Sequence, residues 1–555
     1  MPGEGGARPS GSYRTNFIAR FNAHQFLYPL SATVLLTVIL TIWERRAADG
    51  PDRLLEIFQT LSVVFFVALL FRLLLRPSQK SPDEESLRLE TGAAGNAELW
   101  LAFGVGILAY IRTLPLSLLC DDFAHLESVR RPFSVAIWPQ FTKGQDGTFY
   151  RPLAFVSLFL DYRLWHQWIP GYHLTNLLLH LLCIAGVFQI CKELELKKQL
   201  CFAGTLFFAL LPVNVQTVTW SAARFDQLGA VFGIWSIVCA AKFRRTRAYG
   251  ACWGANALFV LGVLCKENIY ILPVLWLALE MVPHVKGESP VSFGSRAVNW
   301  AGYLVAPGLM MLLRLHLLSG VGGYRTGSAP TALHFPFASV FGLIVRAPGE
   351  TLFGYDWLQP GSRLWVFSAA LTAAVFLMLA FRMKTDARSR RLILFALIWI
   401  FLSAAPAHFY FWGPDPGLFV SRTLYFGSIG VAILIAVLLD QAITAHRLFY
   451  GWAVSIGLLL FAGTQHNISA WQSADHESQK WLAALKQEHP SPPANAVYYV
   501  EGAPRQYRGV PFFAAGLESA VRFNYSWRGD IRVFTEASPE VPSDAILVKY
   551  DWPKE

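Results

Sequence analysis

Apolar runs of about 15 to 22 residues recur along this chain, and no other feature limits its fold so strongly. A bilayer core of roughly 30 Å takes about 20 residues of helix, so runs of this length fit a membrane. They fall at 26–43, 54–75, 98–118, 172–191, 199–215, 226–243, 250–264, 269–283, 297–318, 363–382, 391–407, 421–440 and 448–463, thirteen expected spans. Composition agrees: 54% of the 555 residues are hydrophobic and 15% charged, with a mean hydropathy of +0.39, too apolar for one soluble core. The expected fold is an α-helical polytopic membrane protein.

The net charge of +10 does not point to nucleic acid, because Lys and Arg sit in short loops rather than in a stripe. Lys192, Lys197 and Lys198, then Lys242, Arg244, Arg245 and Arg247, then Arg382, Lys384, Arg388, Arg390 and Arg391 fall in alternate loops. By the positive-inside rule that side is cytoplasmic. Asp121, Asp122, Arg224, Asp226, Lys266, Glu267, Arg346 and Arg422 then share the opposite, extracytoplasmic face. The seven cysteines are odd in number, lie in or beside spans and form no CxxC pair, so no disulfide framework is expected. The first apolar segment lacks a small-residue cleavage site and reads as a retained span.

The stretch from Asp121 to His180 carries the densest chemistry. Two acids follow an apolar span, a long Trp-rich loop containing Tyr150-Arg151-Pro152-Leu153 and Asp161 comes next, and His173, Asn176 and His180 recur at helical spacing. A carboxylate at the rim of an apolar site can act as a general base, since low dielectric raises its basicity. An isolated acid would more often simply end a span; an adjacent pair opening a long aromatic loop points to function. His173 suits a phosphate or an acid as readily as an interhelical hydrogen bond, and for His180 the structural reading is favoured. Arg224, Lys266 and Arg422 suit a lipid-linked phosphate. The competing readings are internal pairing of Arg224 with Asp226 and of Lys266 with Glu267, and membrane anchoring by Arg422. Arg151 is expected to pair with Asp161 and fix the shape of its loop. No GxxxxGK[ST], HExxH or GxSxG signature is present.

The ordered motifs Asp-Asp-Phe at 121–123, Tyr-Arg-Pro-Leu at 150–153, Gly-Tyr-His-Leu-Thr-Asn-Leu from 171, Leu211-Pro212-Val213 through Trp220 to Arg224-Phe225-Asp226, Lys266-Glu267-Asn268 and Ser421-Arg422-Thr423-Leu424-Tyr425 resemble the GT-C superfamily of membrane glycosyltransferases. The likeness is greatest to the protein O-mannosyltransferase branch that includes the transmembrane TPR-containing enzymes, without a TPR array after the core. It covers about residues 98–465. The resemblance implies an eleven-span core with an extracytoplasmic active site and a polyprenyl-phosphate sugar as donor. It further implies a catalytic carboxylate at Asp121 or Asp122, and donor-phosphate roles for Arg224, Lys266 and Arg422, with Asp226, Glu267 and His173 in the same site.

Three regions follow: an N-terminal extension of two spans and a polar linker over 1–97, a catalytic core over 98–465, and a small extracytoplasmic α/β domain over 466–555. The last is expected to hold an amphipathic helix at 470–488, strands at 496–500, 531–535 and 545–550, and a helix within 511–523. The expected activity is transfer of a sugar from the lipid donor to a hydroxyl of a glycan, lipid or protein, with inversion, in a bacterial inner membrane and facing the periplasm. No cofactor is required by this reading, and a divalent metal is left open. Two other classes remain in play: a transporter or non-catalytic membrane scaffold, and an O-antigen ligase or polymerase using a lipid-pyrophosphate glycan.

Overall fold

The computed structural model describes residues 96–144, 148–282, 293–320, 387–410, 418–443, 445–535 and 541–549, with scattered positions between 322 and 352. The expected spans at 26–43, 54–75 and 363–382, the linker, and Arg346 lie outside the described residues, as does most of an interfacial helix expected over 336–347. A helix stands at each of the other ten expected spans. Among the described residues three helices are long and apolar enough to cross a membrane, or four if one bent pair counts as a single span.

The bundle opens with α1 (Asn96–Tyr110). The long loop after it condenses into four short helices, α2 (Asp121–Val129), α3 (Phe133–Ala136), α4 (Trp138–Thr142) and α5 (Pro152–Trp165). Phe133, Val135, Trp138, Leu160, Leu164 and Trp168 are exposed on this group, an apolar surface suited to the membrane interface. The long helix α6 (Pro170–Glu193) follows, then α7 (Lys198–Leu210), a single turn α8 (Val215–Thr219), α9 (Arg224–Thr246), α10 (Tyr249–Val263), α11 (Leu272–Leu279) and α12 (Phe293–Leu318). Helices α13 (Ala387–Tyr410) and α14 (Ser428–Ala442) complete the bundle. Nearly every residue of α7 and α14 is buried, as expected of helices apolar all round that lie between others.

One correction concerns the end of the core. The last span and the amphipathic helix after it are one continuous helix, α15 (His446–Glu488), of 43 residues and about 65 Å at 1.5 Å per residue. Its buried positions Asn467, Ile468, Trp471, Ala474, Ser478, Trp481, Leu482 and Leu485 keep helical spacing through the join, with neither Pro nor Gly between them to break it. The helix therefore carries the C-terminal domain on an unbroken rod. That domain holds β1 (Val497–Glu501), a short hairpin of β2 (Gln506–Tyr507) and β3 (Val510–Pro511), α16 (Leu517–Asn524), β4 (Arg532–Phe534) and β5 (Ile546–Lys549). Strands β4, β1 and β5 form a parallel sheet in that order, so the expected α/β character and strand positions hold.

Candidate functional site

The site is built around a break in the bundle. Pro212 has no N–H to continue α7 and holds Leu211 extended, so the chain turns through 47° into α8. A break at this depth frees carbonyls that water cannot reach, and each must find a donor. Three side chains from two elements supply them: Asn214 donates to Phe208 O at 2.8 Å, and from α15 Thr464 donates to Leu210 O at 2.7 Å and Asn467 to Pro212 O at 3.0 Å. The His173, Asn176 and His180 face of α6 meets the same segment. His173 Nδ1 pairs with Thr219 O at 3.0 Å, Asn176 donates to Trp220 O at 3.0 Å, and His180 Nδ1 meets the Tyr425 hydroxyl at 2.7 Å. The shared face expected from spacing is thus real, and the His173 and Asn176 bonds hold the path of residues 211–223 while His180 meets Tyr425.

The two acids at the start of α2 differ sharply. Asp122 is buried; its Oδ2 accepts from Leu119 N at 3.1 Å and its Oδ1 from Ala222 N at 2.6 Å. With Trp220 Nε1 donating to Leu119 O at 3.1 Å, two bonds stitch the head of α2 to the broken segment. Burial pushes the Asp122 carboxyl up to about 8, although the two N–H donors favour its charged form. Asp121 is half-exposed, and among the described residues its side chain has no hydrogen-bond partner except the Cys120 thiol at 3.9 Å. One turn further along, His125 packs against Phe155 and Phe225 with ring centroids 5.5 and 5.2 Å away. Burial holds its imidazolium form down, with Asp121 pulling up and Arg151 pulling down.

The remaining charged residues gather at the same end of the bundle, but not in the pairs their sequence proximity suggested. Arg224 does not pair with Asp226. Its buried guanidinium bonds Asp161, Asn176 Oδ1 at 2.8 Å and Tyr172 O at 2.9 Å. Lys266 does not pair with Glu267 but with Asp226 Oδ2 at 2.9 Å, and Arg422 Nε approaches the same oxygen at 3.6 Å. Arg151 does not reach Asp161 but forks onto Glu267 at 2.8 and 2.5 Å. A helix turns neighbouring side chains some 100° apart, whereas elements meeting end to end bring distant residues together. Gly229 makes one such approach possible, since a Cβ there would come within 2.9 Å of Lys266 Cβ. Arg422 also lies over the Trp220 ring at 5.0 Å, and its backbone N–H donates to Gln216 Oε1 at 2.7 Å.

Burial alone would raise the Glu267 carboxyl, but Arg151 and Lys266 outweigh it and hold it well below the usual range. Burial, helped by Arg151, lowers the Lys266 ammonium against the pull of Asp226. Asp226 Oδ1 and His173 Nε2 are buried without a partner, as are Thr217, Thr219 and Ser221 hydroxyls between them in sequence. Among the described residues no three metal-ligating side chains converge. Sequence reading missed His125, whose signal was its place four residues after Asp121, and Gln216, which had none.

An apolar helical bundle with buried charge gathered at one end defines an integral membrane protein. No family model matches the chain. In sequence it resembles the protein O-mannosyl-transferases, the branch of the GT-C glycosyltransferases to which its motifs also point: it is 19% identical to one from Caenorhabditis elegans over 72% of this chain and 58% of that protein, and 29% identical to one from Xenopus laevis over 42% of this chain and 30% of that protein. The chain thus spans little more than half of the first relative and under a third of the second. Among solved structures, the apo oligosaccharyltransferase of Archaeoglobus fulgidus aligns with a TM-score of 0.44 and 12% identity, covering 79% of this chain and 64% of that one.

Proposed function

We propose that the protein is a glycosyltransferase moving a sugar from a polyprenyl-phosphate donor to an acceptor hydroxyl on the extracytoplasmic side of the membrane. The observation that carries this reading is the division of labour between two adjacent acids. Asp122 is spent on backbone N–H groups, which leaves Asp121 half-exposed and aimed by a fixed neighbour. Asp121 is the base: it takes the acceptor proton as the acceptor oxygen bonds the anomeric carbon, while the bond from that carbon to the phosphate oxygen breaks. The phosphate leaves already charged and needs counter-charge rather than a proton. Lys266 and Arg422, which share Asp226, supply it, and Arg151 with Glu267 stands beside them. Arg224 is left out of donor contact, since its guanidinium is committed to Asp161, Asn176 and Tyr172. Attack from the face opposite the phosphate inverts the anomeric configuration.

The names of the relatives favour mannose and a protein hydroxyl. The test is release of polyprenyl phosphate by purified protein from a panel of polyprenyl-phosphate sugars, with a membrane extract supplying acceptors. Asp121→Asn should slow turnover by about 10²- to 10⁴-fold, and Asp122→Asn less. Turnover indifferent to Asp121→Asn would remove the base, and a product of retained configuration would remove the displacement.

A further inference from the structure

The C-terminal domain does more than hang from the rod of α15. Its turn into α16 presses on the residue before Asp121: Gly516 has φ +76, and a Cβ there would collide with the Cys120 carbonyl and lie 3.6 Å from Asp121 N. Cys120 itself is held at φ 50, unusual for a residue with a side chain. Helix α16 then runs along α2. Ser519 donates to Glu127 Oε2 at 2.6 Å, Arg522 Nη1 to Glu127 Oε1 at 3.2 Å, Phe123 packs on Phe523 with centroids 5.6 Å apart, and Arg130 lies over Trp527 at 4.6 Å. Arg522 is itself fixed by Glu518 at 2.8 Å and by Ile531 O at 2.9 Å. One helix is therefore gripped at both ends: its head by Ala222 and Trp220 of the broken segment and by Gly516 of the domain, and its tail by Ser519 and Arg522 on Glu127.

We propose that Gly516 and Arg522 are positioning residues, through which the C-terminal domain sets the placement of Asp121 at the mouth of the charged cleft. The catalytic part of this rests on the reading of Asp121 as the base. Only glycine tolerates both the positive φ and the contact at 516, so any larger residue must displace either the domain or the 120–121 peptide. The clamp on Glu127 limits which of them moves. A displacement of the order of 1 Å in a reacting group can cost about 10²-fold in rate.

The experiment compares full-length wild type with Arg522→Ala, Arg522→Lys and Gly516→Val, reading two things. Hydrogen exchange of residues 119–129 should accelerate about tenfold or more in Arg522→Ala and Gly516→Val and partly recover in Arg522→Lys, with exchange in 170–193 unchanged. In the lipid-phosphate release assay, kcat should fall by up to about 10²-fold while KM for the donor stays constant, because Lys266 and Arg422 are not touched. Unaltered exchange in 119–129 in both variants overturns the proposal, as does a loss expressed in KM alone. Should wild type itself release no lipid phosphate, the enzymatic reading fails, and the exchange arm still decides whether the domain restrains the helix that bears Asp121. Global acceleration of exchange in Gly516→Val would mark misfolding and leave the decision to the two Arg522 variants.

Discussion

The two ends of the helical bundle both bristle with charge, yet they use it in opposite ways. At the end expected to face the cytoplasm, Arg245 meets Glu193 at 3.0 Å with 43% of its side chain exposed, and Lys198 meets Glu98 at 2.8 Å with 48% exposed. Other cations there cap helix ends: Arg388 donates to Leu194 O and Glu195 O at 2.5 and 3.0 Å, Arg244 to Leu279 O at 3.0 Å and Arg391 to Met281 O at 2.9 Å. These are carbonyls at or just past the C-termini of α6 and α11, where positive charge is favourable. At the other end Arg224 is 0% exposed, Lys266 9% and Asp226 2% at the side chain. Buried charges cost desolvation that pairing only partly offsets. At the first end Arg244 is buried too, but on the carbonyls that end α11, whereas at the second end buried cations meet buried acids.

The sharpest way to break this contrast is to remove the acid that Lys266 and Arg422 share. Asp226→Ala leaves a buried ammonium without its partner, and loss of one member of a buried pair costs about 3–5 kcal/mol. Thermal unfolding in detergent should show a large drop in midpoint, and donor KM should rise in whatever fraction remains folded. A midpoint within error of wild type would mean that Lys266 is not held as described and that the two ends are alike.

Asp122 tests the contrast at the seam between cleft and bundle. Its carboxyl oxygens both accept backbone N–H groups. An Asn side chain offers one acceptor and turns an amide N–H toward the other donor, an unmet bond worth about 1–3 kcal/mol. Burial raises the folded-state value from 3.8 to about 8, so the stability Asp122 supplies is complete below about pH 4 and is lost as pH rises through about 8. The gap in melting midpoint between wild type and Asp122→Asn should therefore be widest at pH 4, smaller at pH 6 and narrowest by pH 9. A gap unchanged across this range would mean the carboxylate is charged throughout.

The helices of this fold could be read from the sequence because span length and apolarity are local properties: ten expected spans have helices at their places. So could the gathering of Asp121, Arg224, Lys266 and Arg422 at one end, which follows from counting alternate loops. The ion pairs could not. Arg224 with Asp161 and Arg151 with Glu267 are separated by 63 and 116 residues, and nothing in local spacing favours them over the neighbours that were expected. Nor could the unequal fates of Asp121 and Asp122, since burial of one depends on Ala222 N arriving from a broken helix a hundred residues away. The continuity of α15 was hidden by the change from apolar to amphipathic pattern at its middle, a change in surroundings that leaves the backbone untouched.

The smallest effect belongs to the opposite end. Arg245→Ala removes an ion pair in which the cation is nearly half in solvent, and such pairs contribute roughly 0–1 kcal/mol. The melting midpoint should move by no more than a few degrees and donor KM not at all. Membrane orientation should hold as well, because Lys242, Arg244 and Arg247 remain in the same loop. A fall in donor affinity from Arg245→Ala would show that charge at this end is coupled to the cleft across the bundle. In that case the two ends would be parts of one charged pathway, and a transporter would become the better reading of the molecule.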